Sequence, residues 1–217
     1  DDPAIVKQLQ VPRAAVAVVN YPRPSPVDLV VQDLSHGVRQ MMAYWRSIGR
    51  RRPCVIGSFK TLAASVEPYK TFLQCLAEYG WSQEDVVIDT GDGARVGRNF
   101  DHFQDGLARH VGDRPWPYDA VFSLGDDGAA ATLAWLRDRG VKVGEDVSVV
   151  GIGNLDWTRS MQPALASIDT HNDAAADQLV RRLFEQLNHP GRKKKVMTIP
   201  STFIWRASAG PHLPGCL

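Results

Sequence analysis

The chain has 217 residues, of which 44% are hydrophobic and 23% charged, and its formal net charge is +1 at pH 7. This length allows one sizeable α/β domain or two smaller lobes, and the composition is ordinary for a globular protein. The nearly balanced charge predicts no direct partnership with nucleic acid or with a membrane surface. No apolar segment is long enough to span a membrane, and the acidic Asp1-Asp2-Pro3 is unlike a secretory signal.

The three cysteines, Cys54, Cys75 and Cys216, lack the paired spacing that is typical of a metal site. Such an odd and sparse set fits a reducing compartment better than a disulfide framework. We therefore expect a cytoplasmic protein that holds no metal or other cofactor, and we interpret Cys54 and Cys75 as residues of the core.

Segments rich in β-branched and apolar residues alternate along the chain with segments of helical periodicity. The predicted strands are Ala14–Asn20, Asp28–Gln32, Cys54–Gly57, Val86–Asp89, Ala120–Leu124, Ser148–Ile152, Ala166–Asp169, Val196–Ile199 and Thr202–Trp205. The predicted helices are Leu34–Ile48, Val66–Tyr79, Val96–His110, Asp126–Arg139 and Asn172–Leu187. Strands that are apolar throughout are typical of parallel sheets covered by helices on both faces. The sequence therefore predicts a doubly wound α/β fold, whose ligands bind beyond the carboxyl ends of the strands.

The last predicted helix carries an apolar stripe at helical spacing, and this stripe predicts a face buried against the sheet. Its members are Ala176, Leu179, Val180, Leu183, Phe184 and Leu187.

No motif in the sequence completes a catalytic or cofactor-binding pattern. Gly151-Ile152-Gly153 follows a predicted strand, but the third glycine of a dinucleotide-binding loop would fall on Asp156. The sequence has no Gly-x-Ser-x-Gly elbow and no His-Glu-x-x-His motif. We interpret Asp126-Asp127 as the acidic start of a helix, where carboxylates accept hydrogen bonds from free backbone N–H groups. The sequence thus predicts no enzyme activity.

Several segments follow one another in the order and spacing of the motifs of a known family. Val147–Ile152 and Pro163–Ile168 resemble Val-Ser-Val-Val-Gly-Phe-Asp followed by Pro-x-Leu-Thr-Thr-Ile. Ala120–Asp127 resembles a strand that ends in Ala-Asn-Asp, and Gly49–Gly57 resembles a segment with Gly-His-Arg-Arg-Ile. Arg206-Ala207-Ser208 resembles a closing Arg-x-Ser. On these motifs the chain resembles the effector-sensing core of the LacI/GalR transcriptional repressors.

The resemblance implies two Rossmann-like lobes with parallel sheets, joined by three crossover segments, as in type I periplasmic-binding-protein-like folds. The implied N-terminal lobe consists of residues 1–32 and 172–200, and the C-terminal lobe of residues 33–171 and 201–217. The resemblance further implies that the first lobe is incomplete here, since the family has further strands and helices, and a helix-turn-helix head, before the position of Asp1.

In this family the effector lies in a cleft between the lobes, and its contacts map onto particular positions of this sequence. The departures are that the family's Arg falls on Pro68, its Asp on Gly153 and an aromatic residue on Gly93. Because these positions supply neither a charge nor an aromatic face, we expect that a simple neutral hexose is not bound tightly. The candidate effector-binding residues are Asn20, Gln32, Phe59, Lys60, Asp126, Gly153, Asn154, Trp157 and Thr170.

The resemblance therefore implies the small-molecule sensor of a bacterial DNA-binding regulator. Its effector would be a sugar-like or other metabolite, and it would reach operator DNA only through the absent helix-turn-helix, as a homodimer without membrane contact. An exported solute-binding protein of the same fold is the alternative, and an enzyme on a doubly wound sheet is a third reading.

Overall fold

A computed structural model describes residues 16–19, 25, 27–57, 66–91, 99–189 and 191–212. The elements in chain order are β1 (Val16–Val19), β2 (Asp28–Asp33), α1 (Leu34–Ser47), β3 (Pro53–Gly57), α2 (Val66–Tyr79), β4 (Val87–Asp89), α3 (Asn99–Val111), β5 (Ala120–Ser123), α4 (Asp126–Arg137), β6 (Ser148–Ile152), a 3-10 helix (Asp156–Ser160), β7 (Ala166–Asp169), α5 (Asn172–Asn188), β8 (Val196–Pro200), β9 (Thr202–Ile204) and a 3-10 helix (Ala207–Ala209). No helix in these ranges is long and apolar enough to cross a membrane.

The chain divides into two compact units. The smaller unit comprises Asp1–Asp33 and His171–Ile199, and the larger unit comprises Leu34–Thr170 and Pro200–Leu217. Each unit contains its own sheet, since β1, β2 and β8 form one sheet and the remaining strands form the other.

The smaller unit has a narrow sheet in the order β1-β2-β8, in which β1 and β2 are parallel. Among its described residues, Leu29 and Val31 are buried on β2, and Ala17 and Val27 pack against them. Helix α5 packs on β1 and β2.

A buried ion pair joins α5 to β2. The Arg182 guanidinium donates to the Asp28 carboxylate, and the two side chains are 2% and 0% exposed. Gln186 Nε2 donates to Asp28 Oδ2 at 2.6 Å, and the Lys195 N–H donates to Asp28 Oδ1 at 2.7 Å. Burial opposes the charged form of Asp28, but the hydrogen bonds from Arg182, Lys195 and Gln186 outweigh it and hold its pKa below the ordinary value. The carboxylate thereby fixes the helix and the start of β8 to one strand.

The predicted burial of the α5 stripe is wrong. Val180, Phe184 and Leu187 are 48%, 60% and 48% exposed, and the residues that α5 buries are Ala175 and Arg182. Ala176 is also exposed, while Leu179 and Leu183 are half-buried. The physical reason is that the pairing of Arg182 with Asp28 decides which face of the helix meets the sheet.

The larger unit contains a six-stranded sheet in the order β4-β3-β5-β6-β7-β9. Its first five strands are parallel, as predicted, but β9 is antiparallel to β7, with Asp169 opposite Thr202. The chain leaves this unit at the carboxyl end of β7 and re-enters it beside the same residues, so β9 has to run back along β7.

Helices cover both faces of this sheet. Helices α1 and α2 pack on the face that carries Val55, Phe122 and Val150, and α3 and α4 pack on the face that carries Cys54 and Val121. Successive strand residues point to opposite faces, which explains why these strands are buried throughout. The predicted doubly wound α/β fold is therefore confirmed.

The predicted burial of Cys54 and Cys75 is confirmed as well. Each is a free cysteine with no exposed surface, and each lies on a different face of the sheet. Burial raises the pKa of both thiols, so they remain protonated and inert in the core.

Candidate functional site

The carboxyl ends of β5, β6 and β7 lie next to one another at one edge of the larger sheet, because the three strands are parallel neighbours. Polar residues follow each of them: Asp126 comes after β5, Asn154 after β6, and Thr170 after β7. The carboxyl edge of a doubly wound sheet is where ligands bind in this architecture. We therefore take this carboxyl edge as the candidate site.

Asp126 is the most buried charged group at the carboxyl edge, with 2% of its surface exposed. Its Oδ1 accepts a hydrogen bond from Ser167 Oγ at 2.6 Å, and its Oδ2 accepts one from the Leu155 N–H at 2.9 Å. Burial raises the pKa of Asp126, although the hydrogen bonds from Ser167 and Leu155 act in the opposite direction. Asp126 thus connects α4 to β7 and to the loop after β6.

The prediction that Asp126 accepts hydrogen bonds from the first turn of its own helix is therefore wrong. Its carboxylate turns away from that turn because Ser167 and Leu155 offer donors across the sheet edge. It still lies in the first turn of α4, where the helix dipole favours negative charge.

Two glycines, which have no Cβ atom, leave the space that the Asp126 carboxylate occupies. A Cβ on Gly151 would collide with Asp126 Oδ1, and a Cβ on Gly153 would lie 3.1 Å from Oδ2. Gly153 also has a φ of +130°, which side-chain-bearing residues rarely adopt. At the position where the family pattern has an Asp, this chain therefore has a glycine beside a carboxylate that α4 supplies.

Asn154 is the centre of a polar network at the carboxyl edge. It has a left-handed backbone with a φ of 53°, and its N–H donates to Ser167 Oγ at 2.9 Å. Its Nδ2 donates to Asp169 Oδ2 at 2.9 Å, and its Oδ1 accepts from Arg206 Nη2 at 2.5 Å. The side-chain amide is therefore fixed in one orientation between a guanidinium and a carboxylate.

Arg206 anchors the loop that follows β6. Besides Asn154, its guanidinium donates to the Leu165 carbonyl at 2.6 Å and to Thr158 Oγ1 at 3.2 Å. Burial lowers the Arg206 pKa, although the nearby Asp126 and Asp169 carboxylates act in the opposite direction. Arg206 thus fixes one end of the hydrogen-bonded chain Arg206–Asn154–Asp169. Asp169, at the other end of this chain, is half-buried.

The same loop presents apolar surface. Leu155 and Trp157 are 44% and 40% exposed. Thr158, by contrast, is buried, and its hydroxyl donates a hydrogen bond to the Leu155 carbonyl, which anchors the 3-10 helix. The exposed Trp157 indole, three residues after Asn154 in the chain, offers a stacking face to a ligand ring.

The other predicted site residues are distributed as follows. Gln32 belongs to the smaller unit, is 7% exposed, and donates from Nε2 to Asn172 Oδ1 at 2.8 Å. Thr170 is half-buried and follows Asp169 directly. Pro68 is buried in α2 and has no polar side-chain atom. The remaining predicted positions lie outside the described residues: Asn20, Phe59, Lys60 and Gly93.

The structure thus brings together Asp126, Gly153 and Asn154, and it adds residues that sequence reasoning missed. These are Ser167, Asp169 and Arg206. Asp169 did carry a signal, because it is a charged residue at the end of an otherwise apolar strand. Arg206 belongs to a recognised motif, but nothing in its sequence neighbourhood indicates that it contacts Asn154.

In chemical terms the arrangement is suited to binding. It offers a carboxylate, a fixed amide and an exposed ring. In the described part of the chain, no group of three or more His, Cys, Asp or Glu side chains is placed to hold a metal ion.

Comparisons with known proteins agree on one family. Residues 42–209 match a family described as the periplasmic binding protein-like domain. The HTH-type transcriptional regulator DegA of Bacillus subtilis is 25% identical over 216 residues, which cover 97% of this chain and 61% of that regulator. The HTH-type transcriptional regulator CelR of Thermobifida fusca is 26% identical over 153 residues, covering 70% of this chain and 43% of that regulator. The chain therefore spans only part of the length of these curated relatives.

A solved structure shows the same fold. The LacI family transcriptional regulator from Enterococcus faecium with bound ribose matches with a TM-score of 0.82 and 18% identity, covering 98% of this chain and 77% of that chain.

Proposed function

The chain belongs to the family of periplasmic-binding-protein-like domains, in the form found in LacI-family regulators, and on this premise we propose that it senses a small-molecule effector for a bacterial transcriptional regulator. Effector binding would favour one conformation of the full-length regulator and thereby change its affinity for operator DNA. The related proteins are named as regulators, so an exported transport protein is less supported.

The observation that carries this proposal is the chain of hydrogen bonds Arg206–Asn154–Asp169 at the carboxyl edge. A binding site for a small polar molecule needs a few polar groups held in fixed positions. Here the guanidinium of Arg206 orients Asn154, and Asn154 in turn orients the half-buried carboxylate of Asp169. Such prior ordering lowers the entropy lost when a ligand binds.

We assign distinct roles to the residues of this edge. Asp169 and Trp157 contact the effector, through hydrogen bonds to its polar groups and through stacking. Asn154 and Arg206 are positioning residues, and Asp126 with Gly153 shapes the loop after β6, which carries Asn154. The candidates Asn20, Gln32, Phe59, Lys60 and Thr170 remain proposed contacts.

For the whole protein we propose a cytoplasmic homodimer that contacts DNA through a helix-turn-helix outside this chain. Closed two-fold pairing is the commonest symmetry among soluble oligomers. Light scattering of the full-length regulator is expected to give the dimer mass at high micromolar concentration, and a monomer there would contradict this part of the proposal.

The proposed site is tested by Asp169→Asn. A panel of sugars, ribose among them, and of nucleosides and amino acids is screened against the chain by thermal shift, and each hit is measured by calorimetry. Losing a charged hydrogen-bond acceptor is expected to weaken binding of the hit about tenfold or more. The control is Asp156→Asn, which removes an exposed carboxylate from the loop after β6 and is expected to leave the affinity unchanged. Equal affinities in both variants would contradict the site.

A further inference from the structure

A cavity of about 840 Å³ opens at the opposite, amino edge of the six-stranded sheet. Pro53 is the first residue of β3, Val86 directly precedes β4, and Tyr118 lies just before β5, so the cavity sits where these parallel strands begin. None of the residues of the candidate effector site lines it. The two sites are therefore separated by the length of the strands.

The floor of this amino-edge cavity is apolar and buried. Val86, Val111 and Tyr118 are 5%, 3% and 9% exposed, and Pro53 beside them is buried as well. Its volume falls in the range of small-molecule pockets, which are concave, apolar at the base and polar at a few points of the wall. A planar apolar group would displace water from such a floor at a favourable free energy.

The wall beside Tyr118 is held by a chain of hydrogen bonds. The Tyr118 hydroxyl donates a hydrogen bond to the Asp85 carbonyl at 2.5 Å, and this uses its single hydrogen. His110 Nε2 lies 2.9 Å from the same hydroxyl oxygen and therefore donates a hydrogen bond to it. Burial, together with the nearby Arg114 charge, lowers the pKa of His110, so the ring is neutral at neutral pH. This wall is thus ordered before any ligand arrives.

The cationic groups of the lining differ in how they are engaged. Arg114 donates from Nε to the Val111 carbonyl at 3.1 Å, and Arg109 donates from Nη2 to the Thr90 carbonyl at 3.0 Å. Arg52 is fixed through its backbone, whose N–H donates to Asp119 Oδ1 at 2.9 Å. Its guanidinium has no hydrogen-bond or ion-pair partner among the residues that the structure describes. Among the three arginines of this wall, Arg52 is therefore the one whose whole guanidinium is free of described partners and can form a two-point contact with a ligand.

We propose that the amino-edge cavity is a second small-molecule site, for a compact organic carboxylate with a planar apolar body. The carboxylate pairs with the Arg52 guanidinium, whose planar set of N–H donors matches the two oxygens. The apolar body lies on the floor of Val86, Val111 and Tyr118. The lining holds three arginines and the two carboxylates of Glu84 and Asp85, so its formal charge of about +1 favours a ligand with a single negative charge over a dianion. This site does not depend on the proposed effector site.

The test uses benzoate as the probe and benzamide as its neutral counterpart of the same shape. Amide NMR spectra of the full chain are recorded at increasing millimolar concentrations of each. Benzoate is expected to shift the signals of residues at the amino-edge cavity. Benzamide is expected to bind about fivefold more weakly, because it lacks the charge that pairs with Arg52 and this pair is partly exposed to solvent. Shifts that are absent, spread over the whole surface, or equal for both probes would overturn the proposal.

Two variants are expected to change the affinity for benzoate in opposite directions. Arg52→Gln is expected to weaken benzoate binding about fivefold, and Glu84→Gln to strengthen it about twofold by removing a like charge. Arg181→Gln is the matched control, since it removes an exposed arginine from the other unit and is expected to change nothing. The thermal midpoint of each variant is compared with that of the wild type to verify folding. If Arg52→Gln and Arg181→Gln bind benzoate equally, or if Glu84→Gln binds it more weakly, the site is refuted.

Discussion

At the scale of single residues, the carboxyl edge depends on a buried carboxylate. Asp126 is held between Ser167 and Leu155, which are 41 and 29 residues away in the sequence. No local pattern predicts such partners, and the sequence by itself therefore indicates a helix cap at Asp126. Its position at a strand end could be predicted, because strand and helix bounds follow from apolar periodicity. The chemistry of the site could not, because it rests on long-range contacts.

The raised pKa of Asp126 predicts a pH-dependent stability difference. Relative to Asp126→Asn, the wild type gains stability from the protonated carboxyl, and this gain is fully present below the ordinary pKa of 3.8. It is lost as the pH rises through the raised pKa of the folded state. We therefore expect the free energy of unfolding of the wild type minus that of the variant to fall as the pH rises from about 4 to 7. Urea denaturation across this range measures it, and a rising difference would contradict the burial argument.

Two single positions, Pro68 and Gly153, bear on which effector is bound. Pro68 has no polar side-chain atom, and the space at Gly153 is taken by the Asp126 carboxylate. A ligand hydroxyl that is buried without a partner costs about 1–3 kcal/mol. We expect no unmodified hexose to bind with a dissociation constant in the low micromolar range. Calorimetry against a hexose panel checks this, and one such tight binder would show that the ligand contacts are supplied elsewhere.

At the scale of elements, the sequence predicted which segments form strands and helices better than how they face one another. The bounds of β6 and β7 were predicted to the residue, because both strands are apolar and end at turn-forming residues. The direction of β9 was not predicted, because it depends on where the chain re-enters the larger unit. The predicted buried face of α5 is wrong, because Arg182, paired with Asp28, is buried while Val180, Phe184 and Leu187 are exposed.

The role of that pair is tested by Arg182→Met. The substitution leaves the Asp28 charge buried without its main partner, and we expect a loss of about 3–5 kcal/mol in the free energy of unfolding. Arg181→Met, at the exposed neighbouring position, is the control and is expected to cost less than about 0.5 kcal/mol. Denaturant unfolding curves give both values. A similar small cost for the two variants would mean that the ion pair does not fix α5 to β2.

At the scale of the whole molecule, the proposal joins a binding site in the larger unit to DNA recognition in a part of the protein outside this chain. The chain matches 61% of one curated regulator and 43% of another, and both are named HTH-type regulators. Coupling between two such sites requires that the effector bind one conformation of the intact protein more tightly than another. Typical coupling changes affinity by roughly 5–150-fold. The isolated chain carries a net charge of +1 and is expected to bind no DNA sequence specifically.

The most direct test is the operator affinity of the full-length protein with and without a small molecule that the wild-type site binds. We predict that the small molecule changes the operator affinity at least about fivefold, that Asp169→Asn abolishes this change, and that Asp156→Asn preserves it. An operator affinity that is unchanged by a ligand shown to occupy the carboxyl edge would contradict effector sensing, even if the binding site itself were correct.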